Sequence, residues 1–319
     1  MKQHKLSAIQ LDDLPIEVLL NVLNFLELPD INRFGQVSKR LKSASLVDSL
    51  WQEIILINKT MSNNLVEKTL DRGCKTLCLK SCRLTEASHL LSTFEDKKLV
   101  SSQLINLDLY NCDFTHGFLE TLLLSSHSLE TFSLTDFNIS RFSNSVLRMF
   151  YIQNGQTLQT LNLAFTRVVS IEHIELIVKH CTGLKEVDFS DCCLSSLSVN
   201  FLVEGITKNI EKFGLAYCGL GISDIDYYIN ILVTRCNKIK SLNIALNSIT
   251  DETLTSIMEN LKNTLEELDI GTCCNITDSK LLEMKSMPKL KVLNYFNPWD
   301  SNYEDLKNNL PQLNYNLSM

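Results

Sequence analysis

The chain repeats a short apolar pattern from Cys74 almost to its end. Each copy has an apolar residue, two spacers, a second apolar residue, one spacer and a third apolar residue. Cysteine, asparagine or threonine usually follows three places later. Residues 104–112 (LINLDLYNC) and 265–273 (LEELDIGTC) are two of the copies. Because one copy can bury its apolar edge only against its neighbours, the pattern predicts a stacked solenoid.

The spacing of the copies identifies the kind of solenoid. The first and last starts lie 216 residues apart over eight steps, which gives a mean period of 27. Leucine-rich repeats have periods of about 20–29 residues. Apolar alternation predicts a short strand in each copy, and wider apolar spacing predicts a helix after it. We therefore predict an α/β fold, a curved solenoid with a concave parallel sheet of nine strands. The starts are Cys74, Leu104, Leu129, Leu158, Leu184, Ile210, Ile239, Leu265 and a degenerate Leu290.

A small residue recurs in the turn after each predicted strand. A thiol is small, apolar and a weak hydrogen-bond donor, so it suits a tight buried turn. Five of the eight residues at this position are cysteine, which predicts packed, reduced thiols rather than disulfides. We call this the landmark position, and it holds Cys82, Cys112, Phe137, Thr166, Cys192, Cys218, Asn247 and Cys273.

Cysteine usage and charge indicate where the protein acts. No apolar leader follows Met1, so the eleven cysteines favour a reducing compartment, cytoplasmic or nuclear or both. Residues 1–70 carry eight basic and eight acidic residues, while the rest carry 22 and 29, which accounts for the net charge of −7. An acidic solenoid argues against a nucleic-acid partner. No stretch reaches the ~18–20 apolar residues that a membrane span needs.

The sequence gives no sign of catalysis or of a cofactor. It has no phosphate-binding loop, no metal-binding histidine–glutamate pair and no serine elbow. A zinc site at Cys74, Cys78 and Cys82 is an alternative, but no histidine pair lies near them. The histidines fall before the repeats or in predicted turns and helices, away from the strand faces. They are His4, His89, His116, His127, His173 and His180.

Residues 11–51 do not share the repeat and predict three short helices. Pro15 suits the first turn of a helix, and Pro29 is expected to end that helix. Asp30 and Ser38 are expected to cap the second and third helices, as Thr250 and Thr277 are in the repeats.

The first of these helices is apolar on nearly every side. Such a helix must be buried all round, and two further short helices cannot cover it. It therefore predicts a protein partner, the alternative being that the first repeats cover it. One stripe holds Ile16, Leu19, Leu20 and Leu23, and a second holds Val18, Val22 and Phe25.

Four motifs of this module resemble the F-box. They are LPIEVL at 14–19, LPDI at 28–31, VSKR at 37–40 and the pair Leu50-Trp51. Leu41 departs from the family pattern, which commonly has tryptophan there. An F-box followed by leucine-rich repeats is the layout of F-box/leucine-rich-repeat proteins, and residues 287–313 are similar to the carboxyl-terminal end of one member of that family. We accordingly predict an F-box at 8–55, a linker or the start of the solenoid at 56–73, repeats at 74–296, and a terminal helix with a short tail at 297–319.

The resemblance implies the substrate-recognition subunit of an SCF-type ubiquitin ligase. In that family the F-box binds a Skp-type adaptor, the adaptor holds a cullin with its RING subunit, and the repeats hold a protein substrate for ubiquitination and degradation. The receptor is not itself an enzyme. The alternative is an F-box/leucine-rich-repeat scaffold without ubiquitin transfer.

The family pattern also implies which residues bind these partners. For the adaptor they are Leu14, Pro15, Ile16, Val18, Leu26, Leu28, Ile31, Val37 and Trp51, with the tryptophan expected to contribute most. For the substrate, strand alternation selects residues on the concave face, where acidic groups and aromatics could hold a basic or hydrogen-bonding peptide. The alternative is a solvated face with local asparagine hydrogen bonds. These candidates are Asp108, Tyr110, Asn162, Phe165, Asp188, Tyr217, Asn243 and Asp269.

Overall fold

A parallel sheet of eleven strands forms one face of the chain in the computed structural model. The strands follow one another in sequence order, as expected when each repeat adds one strand to a growing edge. The helices that follow the strands pack against one another along the other face. The structure describes residues 11–85, 103–114, 116–137, 143–166, 169–218, 224–296, 308–310 and 313–314. The predicted α/β solenoid with a concave parallel sheet is confirmed.

The elements have the following bounds. The main sheet contains β1 (Glu53–Ile57), β3 (Thr76–Lys80), β5 (Asn106–Tyr110), β6 (Thr131–Thr135), β7 (Thr160–Asn162), β8 (Glu186–Asp188), β9 (Lys212–Gly214), β10 (Ser241–Asn243), β11 (Glu267–Asp269), β12 (Val292–Asn294) and β13 (Leu313–Asn314). A separate pair contains β2 (Thr60–Ser62) and β4 (Arg83–Thr85). The amino-terminal helices are α1 (Ile16–Leu23), α2 (Leu28–Phe34) and α3 (Lys39–Ser45). The helices of the solenoid are α4 (Asn63–Asp71), α5 (His116–Ser125), α6 (Asn144–Asn154), α7 (Ile171–His180), α8 (Ser196–Gly205), α9 (Ile225–Arg235), α10 (Asp251–Leu261) and α11 (Asp278–Glu283).

The solenoid extends beyond the predicted repeats at both ends. At the start, β1 pairs in register with β3, and residues 56–73 contain the end of β1 together with β2 and α4. The pairing therefore favours the alternative that this segment is the start of the solenoid. At the other end, β13 pairs with β12. Nine strands were predicted because neither outer strand carries the full repeat pattern. Of the predicted terminal helix, residues 297–307 lie outside the described residues.

One continuous core runs from the amino-terminal helices through the repeats. Each strand contributes an inward residue that lies opposite its counterpart on the next strand, as Leu77, Leu107, Phe132 and Leu161 do. These four are at most 1% exposed. Fully burying one such side chain stabilises the fold by about 1.5–3 kcal/mol, so the stack of coils is held mainly by this row.

The landmark residues connect neighbouring coils by hydrogen bonds. The Cys192 thiol donates to the Leu163 carbonyl at 2.9 Å, and the Cys218 thiol donates to the Phe189 carbonyl at 3.2 Å. Thr166 and Asn247 use a hydroxyl and an amide for the same purpose. A buried carbonyl without a donor costs about 1–3 kcal/mol, so any small donor is suitable at this position. This explains why cysteine, threonine and asparagine recur there, whereas Phe137 has no side-chain donor and departs from the pattern.

The residue before the landmark position adopts the left-handed conformation in every coil from β1 to β11. These residues, with φ between 46° and 60°, are Asn58, Ser81, Asn111, Asp136, Phe165, Asp191, Tyr217, Leu246 and Thr272. Asparagine and aspartate tolerate this region because their short side chains bond locally. Bulky side chains rarely adopt it, and the cost is roughly 1–2 kcal/mol per residue. Phe165, Tyr217 and Leu246 are therefore costly choices for these turns.

Most of the predicted helix caps are present. Ser38 accepts from the Leu41 N–H at 3.1 Å, and Thr250 and Thr277 accept from N–H groups in the first turns of α10 and α11. The prediction for Asp30 is wrong, because α2 begins at Leu28 and includes both Pro29 and Asp30 in its first turn. Proline lacks an N–H that a first turn does not need, so Pro29 begins α2 rather than ending α1.

Candidate protein-binding surfaces

The three amino-terminal helices form a small module with its own interior. Leu19, Leu23, Leu41 and Ala44 are at most 3% exposed and fill the space between α1 and α3. The Ser38 hydroxyl donates to the Asp12 carboxylate at 2.7 Å, which ties the start of α3 to the turn that precedes α1. This packing fixes which side of α1 faces outward.

Trp51 joins the module to the first coil of the solenoid. Its indole Nε1–H donates to the Ser45 carbonyl at 3.0 Å, and the Arg72 guanidinium lies 4.2 Å from the ring centroid. The N–H groups of Lys75 and Thr76 both donate to the Gln52 carbonyl. The ring is only 3% exposed, so its contacts are with its own chain.

A continuous apolar strip remains uncovered on the outer side of α1. Val18, Val22 and Phe25 follow one another at helical spacing, and Phe25 is 91% exposed. Ile16 on the same helix is 40% exposed, and Val37 in the turn before α3 is 74% exposed. We call these five residues the module face. An exposed apolar surface of this kind is typical of a protein–protein interface.

The structure separates the predicted adaptor residues into three groups. Pro15, Ile16, Val18 and Val37 are exposed. Leu14, Leu26 and Leu28 are half-buried and pack against the core. Ile31 and Trp51 are each 3% exposed. Most of the surface of these last two side chains is already packed inside the chain.

Two residues of the module face were not among the predicted contacts. Val22 and Phe25 belong to the second apolar stripe of the sequence, but they lie between the motifs that resemble the F-box. The signal that could have selected them is their spacing from Val18, which places Val22 on the same side of α1 and Phe25 in the turn that directly follows the helix.

The outward residues of the strands form an unbroken row along the concave sheet. The pairing register aligns Ile55, Cys78, Asp108, Ser133, Asn162, Asp188, Gly214, Asn243, Asp269 and Asn294. The predicted juxtaposition of Asp108, Asn162, Asp188, Asn243 and Asp269 in this row is therefore correct. Whether they bind a substrate is a separate matter.

Four of these side chains also stabilise the turn that follows their own strand. Asn162, Asp188, Asn243 and Asp269 each accept, through Oδ1, the N–H two residues further along. These local bonds are the alternative that the sequence left open, so the row has a structural role. A Cβ on Gly214 would lie 2.3 Å from Asp188 Oδ1, so glycine there leaves room for that carboxylate.

Aromatic side chains stand at the edge of the sheet where the strands end. Tyr110 is 43% exposed, Phe165 is 53% exposed and Tyr217 is 43% exposed. Leu246 lies one coil beyond Tyr217 and is 48% exposed. Phe165, Tyr217 and Leu246 all belong to the left-handed turns.

The concave face carries most of the excess negative charge. We define it as three outward positions on each strand together with the left-handed turn residues. Among its described residues are two lysines, Lys80 and Lys212, and each lies within 4.0 Å of a carboxylate of the same face. The eight acidic residues are Glu53, Asp108, Asp136, Glu186, Asp188, Asp191, Glu267 and Asp269. Eight acids against two lysines leave an excess of six negative charges, compared with −7 for the chain.

The thiols on and under this face are not activated. Burial raises the pKa of Cys78 to about 11, and the neighbouring Asp108 carboxylate acts in the same direction. Burial raises the pKa of Cys112 to about 11 and that of Cys273 to about 12. A thiolate is the nucleophilic form, so these groups are poor nucleophiles at neutral pH. Among the residues that the structure describes, no three histidine, cysteine or acidic side chains converge to hold a metal ion.

Comparison with known proteins identifies both regions of the chain. The family model for the SKP2 leucine-rich-repeat domain matches residues 65–319, and the F-box-like model matches residues 11–57. The chain belongs to the F-box/leucine-rich-repeat family. The match also confirms that the carboxyl-terminal repeats resemble S-phase kinase-associated protein 2.

A solved structure with a TM-score above 0.5 shares the fold. A chain of the yeast Rad7–Elc1 complex is 16% identical, has a TM-score of 0.52, and matches over 95% of this chain and 90% of its own length. The leucine-rich repeat-containing protein LegL7 from Legionella pneumophila is 14% identical with a TM-score of 0.46, over 81% of this chain and 80% of its own.

Family membership has direct consequences. An F-box indicates binding to a Skp1-type adaptor, and an F-box followed by leucine-rich repeats is the composition of SCF-type substrate receptors. Such receptors are typically non-catalytic. None of the helices in the described parts of this F-box/leucine-rich-repeat protein is both long and apolar enough to cross a bilayer.

Proposed function

We propose that this protein is the substrate-recognition subunit of an SCF-type cullin-RING ubiquitin ligase. The module face binds the Skp-type adaptor, which brings the cullin and RING subunits. The concave face of the solenoid holds a protein substrate, whose lysines then receive ubiquitin and mark it for degradation. The single observation that supports this best is the uncovered strip on α1, which culminates in the 91% exposed Phe25 within an F-box.

The physical basis of adaptor binding is burial of apolar area. Each large side chain that becomes fully buried contributes about 1.5–3 kcal/mol. We now assign the contacts to Leu14, Pro15, Ile16, Val18, Val22, Phe25, Leu26, Leu28 and Val37. Ile31 and Trp51 support these residues from inside the module.

The receptor role requires no chemistry from the chain itself. Binding one substrate and one adaptor at fixed positions raises the effective concentration of a substrate lysine near the ubiquitin-conjugating enzyme to about the mM range. The raised pKa values of the buried thiols agree with a role without a catalytic nucleophile. Trp51 and its contacts connect the two binding regions, so the substrate is held at a defined distance from the adaptor.

The test replaces Phe25 with glutamate and measures adaptor recovery by co-purification. A charge buried in an apolar interface should weaken the adaptor complex by at least about a hundredfold. Leu197→Glu is the matched control, because Leu197 is 72% exposed on α8, away from the module. A Leu14→Ala/Pro15→Ala double variant should also lose the adaptor while the repeats stay folded. Normal adaptor recovery by Phe25→Glu would refute the proposed interface.

A scaffold without ubiquitin transfer is the competing hypothesis. Under the receptor hypothesis, cullin and RING subunits co-purify with the adaptor, and deletion of residues 11–51 lengthens the half-life of at least one bound protein. Recovery of adaptor alone, with every half-life unchanged, would favour the scaffold.

A further inference from the structure

We propose that Phe165, Asp191 and Tyr217 form a clamp for a positively charged side chain, lysine or arginine, of an unphosphorylated substrate segment. This inference rests on the proposed receptor function and names the chemistry of its substrate.

The three residues occupy the same left-handed turn position in three successive coils. Their φ values are 58°, 54° and 55°, and the N–H of each donates to a carbonyl of the next coil at 2.8–2.9 Å. Equal backbone geometry gives parallel Cα–Cβ directions, so the three side chains project together from one edge of the sheet. Asp191 lies between the two aromatic residues.

The spacing suits a cation. Neighbouring strands lie about 4.8 Å apart, so Phe165 and Tyr217 begin about 10 Å from each other. A charged group midway between the rings would lie about 5 Å from each, within the ~6 Å range of a cation–π contact. The Asp191 carboxylate supplies the opposite charge from the turn between the two aromatic residues.

The fold itself does not require aromatic residues at these positions. The structural task of the turn is N–H donation by the backbone, and the first coils accomplish it with Asn58, Ser81 and Asn111. Phenylalanine and tyrosine are disfavoured in this conformation, yet both rings are about half exposed. Leu246, in the turn after Tyr217, extends the same edge with an apolar surface.

The charge of the surrounding face determines the sign of the ligand. Asp191 shares its coil with Glu186 and Asp188, and Lys212 on the next strand is already paired with Glu186 at 3.0 Å. The eight acids and two lysines of the described concave face repel phosphate and attract basic segments. We therefore expect a basic residue with an apolar residue a few positions away, the latter against Leu246.

The experiment uses the full chain, expressed together with the adaptor, and a library of random 12-residue peptides that includes phosphoserine. The selected peptides should be enriched at least fivefold in lysine or arginine at one position. Asp191→Asn keeps a residue that tolerates the left-handed turn, and it should weaken the best peptide about tenfold. Asp191→Lys should reverse the preference toward glutamate or aspartate, which loss of folding would not do. Phe165→Ala and Tyr217→Ala should each weaken binding several-fold.

Two control variants make the same kinds of change, loss of a negative charge and loss of an aromatic ring, at positions away from the clamp. Glu175→Gln removes one exposed negative charge from α7, and Tyr227→Ala removes a 56% exposed ring from α9. Both should bind the selected peptide within twofold of the unchanged protein.

Three outcomes would overturn the clamp. They are selection of phosphorylated or acidic peptides, absence of any enrichment, and a basic preference that persists in Asp191→Lys. Adaptor recovery is measured on the same preparations. If the adaptor is lost but the basic preference holds, the receptor function fails and the clamp stands; the reverse result rejects the clamp alone.

Discussion

The module face and the concave face differ in the forces that they offer a partner. The module face consists of apolar side chains on α1, in the turn after it and in the turn before α3, and it contains no charged residue. The concave face has an excess of six negative charges among its described residues, and much of its polar surface already serves its own turns. Apolar burial gives an attraction that salt barely changes, whereas charge gives selectivity and speed of association. The first surface suits a constant partner and the second suits an exchangeable one.

The largest effect should come from the residue that joins the two regions. Replacing Trp51 with alanine removes a 3% exposed ring together with its bond to Ser45 and its contact with Arg72. We expect the module to lose about 3–5 kcal/mol of unfolding free energy. Hydrogen exchange would show faster opening at residues 11–51, with little change beyond β3. Uniform destabilisation of every coil would mean that the two regions are a single cooperative unit.

Acid should lower the unfolding free energy of the solenoid by about 3 kcal/mol more than that of the amino-terminal module. Burial lowers the pKa of His173 in α7 to about 4, whereas the unfolded chain takes up a proton near pH 6.5. The unfolded state therefore binds more protons between these values, and stability falls as the pH drops from 6.5 to 4, by up to about 3 kcal/mol. Residues 11–51 contain no histidine.

The histidine contribution is isolated by comparison with His173→Leu. Denaturant unfolding at pH 7 and pH 4.5 should show a smaller acid-induced loss in the variant than in the unchanged protein. Tyr151, whose ring lies 6.3 Å from the His173 ring, should tolerate an apolar neighbour. An equal loss in both proteins would assign the acid sensitivity to the carboxylates instead.

Salt should weaken binding to the concave face about tenfold and binding to the module face much less. Screening shortens the reach of charges from about 10 Å at 0.1 M to about 3 Å at 1 M. Raising sodium chloride from 0.1 M to 1 M should therefore weaken a basic peptide on the concave face about tenfold, while adaptor affinity changes less than twofold. The measurement is titration calorimetry of each partner on the same preparation. Equal salt dependence of both complexes would mean that the two faces do not bind their partners through different forces.

The smallest effect is expected for the solenoid when the module face is changed, because the coils should not respond at all. Each of the eleven cysteines lies at or beyond Cys74, so thiol labelling reports on the solenoid alone. Phe25→Glu should leave the labelling pattern unchanged at neutral pH, with the exposed Cys193 and Cys274 reacting first. Rapid labelling of Cys192 or Cys273 in that variant would show that a change on the module face disturbs the coils.

Because of the repeat, we could predict which residues lie side by side on neighbouring strands of the solenoid. Because side chains alternate and every strand begins at the same point of the repeat, the register that aligns Asp108, Asn162 and Asp188 followed from the sequence. The same reasoning predicted that the landmark thiols are packed, and four of the five are buried while Cys112 is half-buried.

The module was less predictable because apolar residues cover every side of α1. Composition alone cannot separate an apolar residue that faces inward, such as Trp51, from one that faces outward, such as Phe25. That division depends on how three short helices pack. The left-handed turns at Phe165 and Tyr217 were also hidden, since local preference argues against the conformation that the repeat imposes.

The uniform turns have an evolutionary consequence. From Asn111 to Thr272, each left-handed residue that precedes a landmark position is held by its own backbone N–H bond to the adjacent coil, whatever side chain it carries. The side chains that recognise a substrate can therefore change one coil at a time, through single substitutions that leave the shape of the solenoid intact. During evolution, such a protein could in this way acquire a different target while keeping the same fold.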